Sequence, residues 1–184
     1  MRPYPLLLTT LLLALAACSD PLPVAAFKDT APPLDPVRFF VGHAKSWGVL
    51  ENRSGQPASI VLTDCTGTAD GPDGLRMTQK LTIGTEAPVT REWRMHRLPP
   101  GADGVRHFEA SANDMVGTAI GEASGNAFHW QWTLALSPSN SLKNVDMDQW
   151  WYLQPDGSLL NRTTIRKLGI IAAEVTEHFV PDQK

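Results

Sequence analysis

The sequence predicts an all-β protein, an antiparallel up-and-down meander of about ten strands that closes into a barrel. Two patterns in the chain and one omission from it carry that reading. Apolar and polar residues alternate with a period of two from Val37 onward, the repeat of a half-buried strand. The alternating runs are separated by turn chemistry, in "RSGQP", "GPDG", "GTEAP", "PPGADG", "SGN" and "PDG". No run carries the 3.6-residue apolar stripe of an amphipathic helix.

The runs follow in order. The first two cover residues 44–52 and 58–66. In the next, Leu75, Met77, Leu81 and Ile83 alternate with Arg76, Thr78, Lys80 and Thr82. Residues 89–98, 105–112 and 115–123 come next; Gly117–Asn126 is glycine-rich and reads as a bent strand ending in a tight turn. Phe128, Trp130, Trp132, Leu134 and Leu136 then alternate with His129, Gln131, Thr133 and Ala135. Residues 145–154 and 157–166 form a hairpin around Pro155-Asp156-Gly157, and 168–180 is the last strand. A meander this long closes on itself to remove its edges; a sandwich is the competing architecture.

Ahead of the strands lies a different kind of chain. Arg2 is the sole charge before an apolar run from Leu6 to Ala14, too short for a permanent membrane helix. The run enters Leu15-Ala16-Ala17-Cys18, which resembles the lipobox of bacterial lipoproteins. That resemblance implies removal of residues 1–17 and acylation of Cys18. Several acyl chains, each at ~0.8 kcal/mol per buried methylene, would anchor the protein durably in a bilayer. Ser19 rather than Asp follows the cysteine, which points to the outer rather than the inner membrane, with the domain facing the periplasm. Residues 18–36, with Pro21, Pro23, Pro32, Pro33 and Pro36, read as a semi-rigid tether, and 37–184 as the barrel domain.

Loss of the leader from 184 residues leaves 167, enough for one core. It also takes the net charge from −3 to −4, which speaks against nucleic acid. With Cys18 acylated, Cys65 is the one thiol left, so neither a disulfide nor a cysteine metal site is expected. The five histidines lack metal-ligand spacing, and no nucleophile elbow or phosphate loop occurs, so no cofactor is expected. Asp146 and Asp148 fall on one strand face, roughly 6–7 Å apart. Neighbouring acids at a strand entry are more often solvated than catalytic. The tryptophans say more: Trp47, Trp93, Trp130, Trp132, Trp150 and Trp151 either line a ligand cavity or fill the barrel, and Trp150 and Trp151 must face opposite sides.

Five ordered motifs carry a family resemblance: "RFFVGHAKSWGVLEN", "REWRMHRLPPG", "NDMVGTAIGEASGNAFHWQWTL", "MDQWWYLQPDGSLLNRTTIRKLG" and "AAEVTEHF". Together, behind the lipobox, they resemble the domain-of-unknown-function 3833 lipoproteins. The resemblance implies a calycin fold similar to lipocalins, with Gly42 opening the first strand and Trp47 plugging the closed end. It also implies that Arg162 or Arg166 caps that tryptophan, and it brings no catalytic residues. The functional expectation is a non-catalytic, membrane-anchored barrel that binds a small hydrophobic ligand such as a fatty acid or other lipid. A filled scaffold of the envelope is the alternative. An enzyme using Asp146, Asp148, Glu92 or His96 ranks third, and the oligomeric state stays open.

Overall fold

A computed structural model describes residues 22–99, 101 and 104–182, so the leader, the lipobox and Cys18 lie outside the described residues. Ten strands make one wall: β1 (Gly42–Asn52), β2 (Pro57–Ala69), β3 (Gly74–Ile83), β4 (Val89–Arg97), β5 (Arg106–Ala112), β6 (Ala119–Ser124), β7 (Ala127–Ala135), β8 (Asn144–Leu153), β9 (Leu159–Lys167) and β10 (Ile170–Pro181). Each pairs antiparallel with its neighbours in sequence, and β1 pairs with β10 from Ala44↔Pro181 to Asn52↔Ala173, closing the barrel. The meander and its closure are as expected. No strand edge is left open, which removes the template for edge-to-edge aggregation.

Parity decides what each strand buries. In β7, Phe128, Trp130 and Trp132 point in and are nearly inaccessible, while His129 and Gln131 point out. In β8, Val145, Met147 and Trp151 point in, so Asp146, Asp148 and Trp150 face out. The same rule overturns the expectation for Trp47. Its neighbours Ala44 and Ser46 are interior, so Trp47 stands on the outer wall, 55% exposed, between Leu62 and His178 in register.

The end the tryptophan was expected to plug is closed by another aromatic. Helix α1 (Pro36–Phe39) lies across it, with Asp35 capping its N-terminus through the Arg38 amide. Phe40 then drops into the barrel, 5.4 Å from the Trp151 ring and 5.7 Å from Phe179, both edge-on. Neither expected arginine serves as a cap. Arg162 is on the outer wall, bonded to Glu174 (3.1 Å), and Arg166 sits near the far rim opposite Asp146. Gly42 does open β1, at φ +105°, a conformation that side-chain-bearing residues avoid.

The proline-rich segment also departs from expectation. Over residues 22–36 it is seated on the barrel instead of running free. A 3-10 turn, Val24–Phe27, packs on the outer faces of β6 and β7, burying Val24 against Val105 and Ala127. Leu34 is fully buried and its amide donates to the Gly125 carbonyl (2.8 Å). Gly125, at φ +52°, is glycine for two reasons, because a Cβ there would also collide with the Phe27 carbonyl. Thr30 Oγ1 accepts from the Asn126 amide (2.9 Å), and Asp35 pairs with Arg97 (2.8 Å). Prolines limit the conformations of a chain without forbidding it a docking surface, and Val24, Phe27 and Leu34 supply the apolar contact.

Candidate functional site in the barrel interior

The inward positions of the ten strands stack in layers from the capped end to the far rim. The layer under the cap is apolar: Leu75, Met95, Phe108, Phe128, Trp151, Leu159 and Phe179. The middle of the barrel is not. Glu177 of β10, Asn161 and Thr163 of β9, Ser46 of β1, Thr63 of β2 and Arg91 of β4 are all buried there.

These polar groups form one directed chain. Trp132 Nε1 donates to Gln149 Oε1 (2.8 Å), and Gln149 Nε2 donates to Thr163 Oγ1 (2.9 Å). Thr163 Oγ1 donates to Asn161 Oδ1 (3.2 Å), and Asn161 Nδ2 donates to Glu177 Oε2 (2.9 Å). From the other side Ser46 and Thr63 hydroxyls each donate to Glu177 Oε1 at 2.7 Å. Every proton in the chain points toward the Glu177 carboxyl, so it is the acceptor terminus of a network spanning β7 to β2. No cation among the described residues pairs with it. The same burial that makes such a network strong makes each unpaired member costly.

Facing this network is an aromatic wall. Trp130 lies 5.3 Å from both Trp93 and Trp151, and Trp132 packs edge-on to Trp93 at 5.3 Å. Arg91 sits over Trp93 and Trp132, 5.4 and 5.0 Å from their centroids, while its Nε reaches both Asp114 oxygens at 2.7 and 2.8 Å. The indoles thereby share a cation that Asp114 already neutralises. Trp93 Nε1 donates to Gln79 (2.9 Å).

One group is left over. Trp130 is 2% exposed, and its Nε1 is a buried donor without a partner. It lines a cavity of about 40 Å3 together with Glu177, Asn161, Gln149, Gln79 and the flexible Met77 and Met95. A void of that size admits a water-sized group and falls far short of the ~300 Å3 at which drug-sized ligand sites begin. Cys65 also lines it; burial, reinforced by Glu177 and Asp64, pushes its thiol pKa up to about 12. That thiol is a small apolar group at any physiological pH.

The six tryptophans therefore divide. Trp93, Trp130, Trp132 and Trp151 come together inside, whereas Trp47 and Trp150 face out and line nothing in the interior. Trp150 stacks on His129 (4.2 Å) and meets Phe27 (6.0 Å), while Phe27 also touches Tyr152 (5.8 Å). The candidate acids are dispersed. Asp148 accepts from His129 (2.9 Å) and Gln131 (3.1 Å), and Asp146 from Thr133 (3.2 Å), all on the outer wall. Glu92 accepts from Thr78 (2.9 Å), and His96 is exposed, 3.8 Å from Glu109. Among the described residues no three His, Cys, Asp or Glu side chains stand close enough to hold a metal ion.

Sequence reading passed over Glu177, Arg91 and Gln149. Their signal was parity: Glu177 lies between Val175 and Phe179 on the apolar face of β10, and Arg91 precedes Trp93 and Met95 on that of β4. A charged residue in step with core positions is the mark of a buried polar layer.

A wide cleft lies outside the barrel at the capped end. It encloses about 550 Å3 between Arg38, Phe39, His43, Asp156, His178 and Asp182. His43 there is clamped, Nδ1 to Asp182 (2.7 Å) and Nε2 to Asp64 (2.8 Å), and those two carboxylates raise its pKa. With both ring nitrogens bonded, His43 serves as a strut between β1, β2 and Asp182, the residue after β10.

A family model described as "Protein of unknown function (DUF3833)" matches residues 12–180. No curated protein sequence matches the chain. Among solved structures, the fold is similar to that of the S-type phycobiliprotein lyase CPES from Guillardia theta, at 10% sequence identity and a TM-score of 0.55. The match covers 80% of this chain and 91% of that one.

Proposed function

Because the chain belongs to the DUF3833 family, whose function is unknown, we propose its role from its own geometry: a lipid-anchored barrel of the bacterial envelope that binds a small ligand at mid-barrel without catalysis. One observation carries the reading. The Trp130 N–H is a buried donor with no acceptor, and Trp130 lines a cavity together with Glu177, Asn161 and Gln149. Buried polar groups in native cores find partners, so an orphan beside a cavity calls for an occupant that accepts its hydrogen bond. The fold it shares with a lyase named for phycobiliproteins supports a binding role.

The ligand is an amphipathic molecule with a hydrogen-bond acceptor, and its body gains room as Met77 and Met95 change rotamer. A fatty acid, the expectation from sequence, is a poor fit to the cavity as it stands. Anchoring through Cys18 and the periplasm-facing location rest on the leader and lipobox.

Titration of tryptophan emission with small aromatic acids, lysophospholipids and fatty acids tests the reading. A saturable change is expected, weakened about tenfold in Trp130→Phe, the worth of one hydrogen bond near 1.4 kcal/mol. Flat titrations throughout, with a single water on Trp130 Nε1 at high resolution, would leave the second reading. That reading is a filled envelope scaffold, and the narrowness of the cavity favours it.

A further inference from the structure

We infer that the docked segment holds one particular side of the barrel flat against the bilayer, which makes that side a lipid-contacting surface. The inference rests on the proposed acylation of Cys18.

Chain length decides it. Were residues 18–36 a free spacer, the barrel would hang on nineteen residues, a reach of ~60 Å. The segment instead meets the barrel at Val24 and stays on it through Leu34, where the Leu34 amide bonds Gly125, Thr30 bonds Asn126, and Asp35 pairs with Arg97. Leu22 is the first described residue and stands only four residues from Cys18. Four residues span at most ~14 Å in any conformation. An acylated Cys18 lies at the headgroup boundary, so the Val24–Phe27 turn must lie within about that distance plus two more residues, ~20 Å in all.

That side of the barrel has the chemistry of an interfacial surface. Leu22 is 60% exposed, and Ala25 and Ala26 of the turn are exposed beside it. Behind them stand Trp150 and Tyr152, half-buried under Phe27, and Leu160 lies one strand beyond Tyr152, 40% exposed. Indole and phenol rings favour the headgroup layer. Lys28 and Arg162 offer positive charge to phosphates, with Asp29 the acid beside the turn and Glu174 already bonded to Arg162. The opposite flank, with Ile60 on β2 five strands from β7, and the far rim, with Leu168 at the β9–β10 turn, lie away from the side on which the segment is docked.

The test uses the acylated protein purified from membranes, in phosphatidylcholine vesicles containing a headgroup nitroxide lipid. Single cysteines at Leu22→Cys, Leu160→Cys, Ile60→Cys and Leu168→Cys carry a small fluorophore; buried Cys65 stays unlabelled. Strong quenching is expected at 22, weaker quenching at 160, and none at 60 or 168. Undocking by Val24→Asp with Phe27→Ala should keep the quenching at 22 and abolish it at 160, with near-ultraviolet circular dichroism confirming an intact barrel. Quenching equal at all four positions, or strongest at 168, overturns the inference while leaving the anchor intact. A Cys18 peptide without acyl mass, with protein that does not float with vesicles, overturns the anchor and the inference together.

Discussion

Trp150 and Trp151 are neighbours in sequence and members of two different aromatic clusters. Trp151 stacks on Phe128 (4.8 Å) inside the barrel, with Phe40 closing over it. Trp150 lies on the outer wall among His129, Tyr152 and Phe27, under a segment that is not part of the sheet. The inner cluster is the core itself, and every strand depends on it. The outer cluster is a seam that can open while the wall stands. Identical side chains one residue apart thus serve stability in one case and attachment in the other.

The largest way to break the comparison is to truncate both. Trp151→Ala should cost about 3–5 kcal/mol in denaturant unfolding, the range for buried aromatic truncations. Trp150→Ala should cost about 1 kcal/mol, the worth of an aromatic pair, and should instead speed proteolysis of residues 22–34. Equal losses would mean that the seam is as much core as the interior is.

Next comes the polar layer, which exists only inside. Glu177→Ala strands the Ser46, Thr63 and Asn161 donors and should cost about 1–3 kcal/mol, whereas Glu177→Gln keeps an acceptor oxygen and should cost less. Cys65 sharpens the same contrast by chemistry. Its thiol, pushed up to about 12, should resist alkylation at pH 8 in the folded state and react at once in denaturant.

The smallest expected effect is on the outer wall, where contacts titrate. The Asp182 and Asp64 carboxylates raise the folded-state pKa of His43 above 6.5. Its contribution is therefore fully present below pH 6.5 and fades as pH rises through the raised value. The urea midpoint should fall slightly across that window in the native sequence, and the fall should vanish in His43→Asn.

Much of this was legible in the chain. Alternation such as Phe128-His129-Trp130-Gln131-Trp132 and the Pro155-Asp156-Gly157 turn announced strands and hairpins, because a two-residue period has one physical meaning. Which face of β1 turns inward was not, since Trp47 and Ser46 offer no local clue that the hydroxyl is wanted inside by Glu177, 131 residues later. The docked segment was hidden for a related reason. Its prolines signal stiffness, and the complementary surface made by Val105, Gly125, Ala127 and Trp150 is assembled only once β5 to β8 are paired.

The pairing of β1 with β10 sets the order in which this molecule can come into being. The first strand made pairs at once with β2 but finds its second partner only when the last has been made, so the contact that completes the wall is also the one most distant along the chain. Contacts of long sequence separation slow folding, because a long loop must close before they form. Until then β1 and β9 are both bare edges, open to pairing with other chains. Loss of the twelve residues of β10 would accordingly not trim the protein but leave a nine-stranded sheet with nothing to shut it.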